Sequence, residues 1–503
     1  MKVLYLFIGL FLVSCSDFLE PKSTSEFVPK DANSLNEIIL GDGYPRPDDR
    51  IFINTFLGLL DDDVTCSPWA PDPGNEDKVP AMEAVYAWQS NMYDVFKEFD
   101  VFPNTYNIWQ NVYRKILGAN AVLDYIDDAA GDVDDVNNVK AQGLALRAFY
   151  HFYLVNIFAL PYNYNKESLG IPIRTSSGME DKMLKRNTVK EVYEQIVTDL
   201  LEAERLYLTL PVDRQWQMDF RTNLPMVQLL LSRVYLYMED WNNAALYAQK
   251  VINDWSFSLQ NLNSLPEGTT MEPYFNFISS TCTECIWLYG SANDVYYFLQ
   301  EDWNTWDDER SIMCVSEELL NSYVDGDLRK EKYMIEERRW PGEFYKPYSK
   351  MKMAYNHYPE SDTEFARAFR LPEAYLNLAE AKAMLFKLGK EGGTCTEALD
   401  ALNELRMNRF TATSYRALDI NDPEILIREV RAERRRELCF EDHRWFDLRR
   451  YGMPKIVHKW SQSENVTVEY VLEEKDPGYV LPIPPEALEK NTALVQNPLA
   501  PLR

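Results

Sequence analysis

At 503 residues the chain can bury a large core, and helical-repeat folds reach this length as one body. Its 52 basic and 79 acidic side chains give a formal net charge of −27, which argues against DNA, RNA or anionic lipid headgroups as partners. Rings are abundant, with 31 Tyr, 24 Phe and 12 Trp, enough to line a ligand surface as well as a core.

The chain opens with Lys2 and a mostly apolar run from Val3 to Ser14, shorter than the about 20 residues needed to span a bilayer and suited to an export signal. It ends in Leu12-Val13-Ser14-Cys15, which resembles the lipobox cut by a lipoprotein signal peptidase. Residues 1–14 are therefore read as a signal peptide. Residues 15–30, polar and punctuated by Pro21 and Pro29, are read as a tether. No later segment is long and apolar enough to cross a membrane.

Helical periodicity begins at Asp31. A short helix is predicted over Ala32–Leu40, then a long irregular region carrying Asp61-Asp62-Asp63, Trp69, Tyr86 and Trp88. The spacing of apolar residues predicts helices over Tyr106–Ile126, Val136–Phe158 and Val189–Tyr207. Trp109, Tyr113, Ile116 and Asn120 share one stripe; Leu144, Ala148, His151 and Val155 share another, where His151 is read as packing rather than catalysis. Two helix pairs follow with small residues at the crossing positions: Pro225–Met238 with Trp241–Ile252, and Pro372–Leu388 with Thr396–Arg406. They look like tetratricopeptide units, although the turn Gly389–Thr394 is too long for a strict repeat. Periodicity breaks down between the pairs, from Asp254 to Phe369, and long irregular stretches in compact proteins are usually functional.

The stretch Asp422–Gly452 opens with a capping Asp422, Pro423 in the first turn and Glu424 at the positive helix end. At helical spacing Val430, Arg434, Leu438, Glu441, Trp445 and Leu448 fall on one face, so a buried charge pair is expected there. Its eight Arg are interleaved with acids, and Glu433 with Arg436 and Arg434 with Glu437 have the spacing to pair, so the cluster reads as structural rather than phosphate-binding.

Here a resemblance becomes specific. Arg435-Arg436-Glu437-Leu438-Cys439-Phe440-Glu441 followed by His443-Arg444-Trp445-Phe446-Asp447-Leu448-Arg449-Arg450 resembles the C-terminal signature of the SusD/RagB family of nutrient-binding outer-membrane lipoproteins. Ile116–Asn120, Ala145–Tyr150, Phe158–Pro161, Tyr479–Glu486, Asn491 and Gln496–Pro498 resemble the same family in their places along the chain. The resemblance implies an all-α, TPR-like scaffold of about four helix pairs with large irregular insertions. It divides the chain into an N-terminal helical half (31–253), an irregular ligand-binding region (254–369) and a C-terminal half (370–503). It also implies acylation of Cys15, an outward-facing place on the outer membrane, an oligosaccharide ligand, a SusC-like TonB-dependent transporter as partner, and binding without turnover.

No serine-hydrolase elbow, zincin, dinucleotide or P-loop motif is present. Glycoside hydrolysis needs only two suitably spaced carboxylates, so the residues alone leave it open. Sugar capture needs flat apolar faces flanked by hydrogen-bonding groups. Trp287 to Trp306 supplies both: Trp287, Tyr289, Tyr296, Tyr297, Phe298, Trp303 and Trp306, with Asn293, Asp294, Gln300, Asp302 and Asn304 among them. Trp303 and Trp306 are the first candidates, then Trp88, Trp69 and Trp340, with Tyr296 and Tyr297 beside them. Phe344, Tyr345 and Tyr348 are further aromatic candidates. Asp61–Asp63 and Asp307-Asp308-Glu309 could take Ca²⁺ but match no EF-hand loop, so solvated charge is expected and no cofactor is assigned. Cys282-Thr283-Glu284-Cys285 lacks a second ligand pair for zinc, leaving incidental or disulfide cysteines. The reading is a surface lipoprotein that captures oligosaccharide for a transporter; the alternatives are a repeat scaffold binding peptides or another nutrient, and a hydrolase.

Overall fold

The computed structural model describes residues 29–46, 56–66, 79–99, 107–178, 183–265, 277–291, 313–339, 342–346, 365–463 and 466–503. Its longer helices are α1 (Ala32–Ile38), α2 (Val79–Tyr86), α3 (Met92–Phe99), α4 (Ile108–Leu123), α5 (Val133–Phe158), α6 (Val189–Tyr207), α7 (Leu224–Tyr237), α8 (Trp241–Asn253), α9 (Leu371–Lys387), α10 (Cys395–Met407), α11 (Pro423–Leu438) and α12 (Arg444–Arg450). Most begin where a short polar side chain satisfies the free backbone N–H groups of the first turn. Asn107, Asp132, Asn223, Asp240, Thr394 and Asp422 each accept one, and Thr188 forms a reciprocal box with Glu191.

The helices form one run of packed neighbours: α4 on α5, α5 on α6, α6 on α7, α7 on α8, α8 on α9 and α9 on α10, with α11 against α9. This is the TPR-like, helix-dominated scaffold expected. The contact between α8 and α9 positions everything else, because 117 residues (254–370) separate them in sequence. The whole insert leaves and re-enters a helical stack that continues without it. Small residues permit the crossings: Ala244 and Ala248 on α8, and Ala379, Ala381 and Ala383 on α9, are fully buried. A polar thread locks the layers. Ser232 Oγ donates to Ala244 O (2.9 Å), Asn377 Nδ2 donates to Ser232 Oγ (3.2 Å), and Arg434 donates to Asn377 Oδ1 (2.7 Å).

Four two-stranded antiparallel ribbons complete the described residues: β1 (Val64–Cys66) with β3 (Met313–Val315), β2 (Cys285–Ser291) with β6 (Phe365–Arg370), β4 (Ile335–Arg339) with β5 (Gly342–Lys346), and β7 (Ile456–Ser463) with β8 (Val466–Leu472). The β2–β6 ribbon places Trp287 opposite Phe369 and closes the base of the insert, while β1–β3 stitches the insert to the N-terminal half. One large apolar cluster includes residues from Leu35 to Leu494 and draws on both halves, beside smaller clusters at α9–α11 and at the insert root.

Two expectations need correction. The stretch from Gly43 through Trp88 is not irregular throughout, since α2 lies in it and α3 follows directly. The C-terminal stretch is not one continuous helix either. Phe440 (φ 61°) and Asp442 (φ 62°) adopt left-handed backbone, break the periodicity after Leu438, and turn α12 back so that Arg434 meets Asp447 at 2.8 Å. Arg434 therefore pairs across the break rather than with Glu437, whereas Glu433 and Arg436 pair along the helix at 2.7 Å.

Candidate functional site

The root of the insert is held by buried charge. Arg370, the last residue of β6, donates to Glu441 (2.6 and 2.9 Å) and to Glu284 (2.8 Å) in the turn before β2. Arg409 bridges Glu284 (2.6 Å) and Glu437 (2.9 Å), and Arg329 reaches Asp327, Glu433 and Glu437 at 2.7, 2.7 and 3.3 Å. Arg406 and Arg436 close the set on Glu433. Five guanidiniums (Arg329, Arg370, Arg406, Arg409, Arg436) thus face five carboxylates (Glu284, Asp327, Glu433, Glu437, Glu441), and such pairs persist in low dielectric because each charge is matched and hydrogen-bonded. Burial alone would raise the Glu437 carboxyl, yet Arg409, Arg370 and Arg329 hold it well below the usual carboxylate range. This is the buried pairing expected of the α11 face, extended to partners that lie far off in sequence.

Several aromatic candidates prove to be core. Trp88 is 2 % exposed: it sits in the turn between α2 and α3, donates from Nε1 to Leu60 O (3.0 Å), and stacks on His458 at 4.1 Å. Its ring offers no open face, so its assignment to ligand binding is corrected. Tyr86 stacks on the other side of His458 at 4.0 Å. Trp287 and Tyr289 stack on each other at 4.6 Å beneath Phe149 and Phe369, anchoring β2 rather than meeting solvent. Trp69, Tyr296, Tyr297, Trp303, Trp306, Trp340, Tyr348, the Asp307–Glu309 cluster and Cys15 lie outside the described residues. So do the side chains of Phe344 and Tyr345 on β5.

Asp61–Asp63 is not a solvated face. Asp61 and Asp63 are buried, Asp62 binds Arg444 (2.6 Å), and Arg435 holds Asp63 (2.8 Å). Burial pushes the Asp62 carboxyl up, but Arg444 and Arg435 outweigh it and bring it to about 2. Asp61, buried beside two like charges, is pushed well up. The trio ties the N-terminal half to the C-terminal signature. Cys282 and Cys285 are buried free thiols, and Cys285 Sγ donates to Phe277 O.

Clefts on the described surface include one at each half of the chain. One, of about 480 Å³, lies between α11, α12 and the short helix Glu317–Ser322, where Arg431, Arg435 and Arg444 face Glu318. The other, of about 560 Å³, is lined by the start of α4, by Pro172, Arg174, Met183 and Leu184, and by the short helix Pro485–Lys490. Its floor is apolar, with Tyr113 and Leu494, and its rim carries Arg114, Arg174 and Lys490. Trp109 and Tyr113 were expected only as stripe residues, and nothing in their spacing marks the cavity beside them.

A stack of paired helices interrupted by one large insert, rooted on buried charge, defines a helical-repeat scaffold. Comparison with known proteins is consistent with that class. Residues 50–236 match a SusD-like family described as starch-binding and associating with the outer membrane, and residues 344–499 match the SusD family. SusD-like protein P2 of Formosa agariphila is 26% identical over 430 residues, covering 77% of this chain and 79% of that protein. Among solved structures, a SusD superfamily protein of Bacteroides vulgatus superposes with a TM-score of 0.70 at 21% identity, covering 94% of this chain and 100% of the other. One from Bacteroides thetaiotaomicron gives 0.68 at 22%, covering 93% and 100%. The chain belongs to the SusD/RagB family. Among the described residues, no helix is long and apolar enough to cross a membrane.

Proposed function

We propose that this protein is a lipid-anchored, outward-facing glycan receptor that captures oligosaccharides without cleaving them and passes them to a SusC-like TonB-dependent transporter. Family membership and the lipobox-like leader ending at Cys15 support the anchor and the partner. The observation that carries the binding role is the clamped base of the insert. The β2–β6 ribbon and the Glu284–Arg370–Glu441 ion triad hold both ends, and in sequence β2 runs directly into the ring-rich residues 292–306. A fixed base spares a binding segment part of the ordering cost on capture.

Calorimetry of the purified protein against neutral polysaccharides and against peptides tests the ligand class. Trp303→Ala with Trp306→Ala is expected to weaken glycan binding by at least about tenfold. Unchanged affinity removes those residues from the site, and peptide binding in place of glycan binding overturns the reading. Cys15→Ala is expected to release the protein from the membrane fraction, and a TonB-dependent transporter is expected to co-purify with the acylated form.

A further inference from the structure

We propose that Cys282 and Cys285 are a disulfide site, closed during export by a protein disulfide of the exporting compartment, and that the bond staples the turn leading into β2. The inference rests on the export half of the receptor reading and goes beyond it, since it concerns the root of the insert and not the ligand. The two cysteines are the first and fourth residues of a tight turn. The Cys285 N–H donates to Cys282 O at 3.1 Å, just after the Cys282 N–H has closed a like turn on Ser279 O at 3.2 Å. Such a turn brings its outer Cα atoms within about 7 Å, and disulfides bridge Cα atoms about 4.4 to 6.8 Å apart. Both side chains are buried, at 2 % and 1 % exposure, and the two thiols lie within hydrogen-bond reach of each other. The other cysteines among the described residues share no such turn. Cys66 and Cys314 lie on paired strands, but Cys314 stands opposite Thr65 and Cys66 opposite Met313, so their side chains leave opposite faces of the ribbon. Cys395 and Cys439 donate to backbone carbonyls, of Ile420 and Arg436.

The residues between the cysteines show what a staple would hold. Thr283 ties the turn to the segment that leaves α8: its carbonyl accepts from the Ser258 N–H at 3.2 Å and its hydroxyl donates to Ser258 O at 2.9 Å. The Glu284 carboxylate accepts from Arg370, Arg409 and the Gln260 N–H at 2.8, 2.6 and 2.8 Å, and its carbonyl accepts from the Leu371 N–H, where α9 begins, at 2.8 Å. Closure runs in two exchanges. One cysteine thiolate attacks the donor's disulfide, forming a mixed disulfide and releasing one donor thiolate; the other cysteine's thiolate then displaces the second donor sulfur. The pair loses two electrons and two protons, and the donor leaves as a dithiol. Burial fixes when this happens. In the folded chain burial, and then the neighbouring Cys282 thiol, hold the Cys285 thiol well above its ordinary range, so the reactive thiolate is scarce there. The bond therefore forms while the exported chain is still open, and folding then shields it from reductants.

Iodoacetamide labelling of the full chain, exported under its own leader and unfolded in guanidinium without reductant, reads the pair by peptide mass. The peptide carrying Cys282 and Cys285 is expected to take no label until dithiothreitol is added and two labels after it, while Cys66, Cys314, Cys395 and Cys439 are labelled at once. In Cys282→Ser, Cys285 is expected to label without reductant, which identifies the two as each other's partner. The native chain refolded in dithiothreitol is expected to melt below the exported chain, a gap that Cys282→Ser with Cys285→Ser closes. Two labels on the unreduced peptide, a Cys285 that stays unlabelled in Cys282→Ser, or no gap in melting temperature overturns the staple. If the chain is not exported, the export reading fails on its own, and the pairing is decided by refolding the reduced protein in oxidised and reduced glutathione. Closure is expected there, and a pair still open once the fold has re-formed overturns the site.

Discussion

Glu437 sits among Arg329, Arg370 and Arg409 and accepts from the Tyr333 hydroxyl at 3.0 Å. Glu437→Gln keeps the shape but strands buried guanidinium charge, so it is expected to cost about 3–5 kcal/mol in denaturant unfolding. A cost below about 1 kcal/mol would show that the arginines find other partners. His151 gives a pH signature. It is fully buried, its Nε2 accepts from the Arg174 backbone N–H at 3.3 Å, and burial, helped by Arg147, pushes it down to about 3 from 6.5. The folded state therefore binds a proton less readily than the unfolded state. Stability is full above pH 6.5 and falls as pH drops towards 3, at about 1.4 kcal/mol per unit. His458, likewise buried and pushed down to about 4 from 6.5, adds a second loss of the same sign over pH 6.5 to 4, and the lowered carboxylates Glu380 and Glu433, at about 2, join only below about pH 4.5. Urea midpoints between pH 7 and 5 should thus decline, and His151→Gln should remove about half of the decline; identical slopes would exclude His151 as a source.

Among the elements, the turn between α7 and α8 carries a correctable strain. Glu239 follows the α7 C-cap with φ 60°, a place that glycine usually fills, while Asp240 N–H donates to Tyr235 O at 2.9 Å in the usual terminating pattern. Glu239→Gly is expected to stabilise the fold by about 1 kcal/mol, visible as a raised melting temperature, whereas Glu239→Ala is not. Helices α4 to α11 were legible because apolar spacing and caps agree: the range 189–207 matches α6, and α7 to α10 start and end within a residue of their predicted limits. The end of α11 was not legible, because Phe440 and Asp442 take backbone conformations their residue types do not announce. Trp88 and Trp287 misled because a ring among turn-forming residues reads as exposed until its packing partners, His458 for one and Phe369 for the other, arrive from far along the chain. The rim of the α4 cleft stayed hidden for the same reason, with Arg114 and Lys490 separated by most of the sequence.

At the scale of the whole molecule the ion network acts as a cross-brace. Arg435 and Arg444 bind Asp62 and Asp63 from the N-terminal half, Arg370 and Arg409 bind Glu284 from the insert, and all of them meet the α11–α12 signature. Apolar packing adds a tie of its own, since one cluster joins residues from Leu35 to Leu494, while α9–α11 and the insert root each pack a smaller cluster that the ion pairs connect to the rest. Helical-repeat proteins often unfold stepwise because each repeat touches only its neighbours. Here long-range ties connect segments hundreds of residues apart, so the N-terminal half, insert root and C-terminal half should melt together. Scanning calorimetry of the purified protein is expected to show a single transition, and Glu284→Gln, which withdraws one charge from Arg370 and Arg409, should move that transition down as a whole. A second transition appearing in the variant, with the original kept in place, would mean that the insert root is an add-on to the stack and not part of its brace.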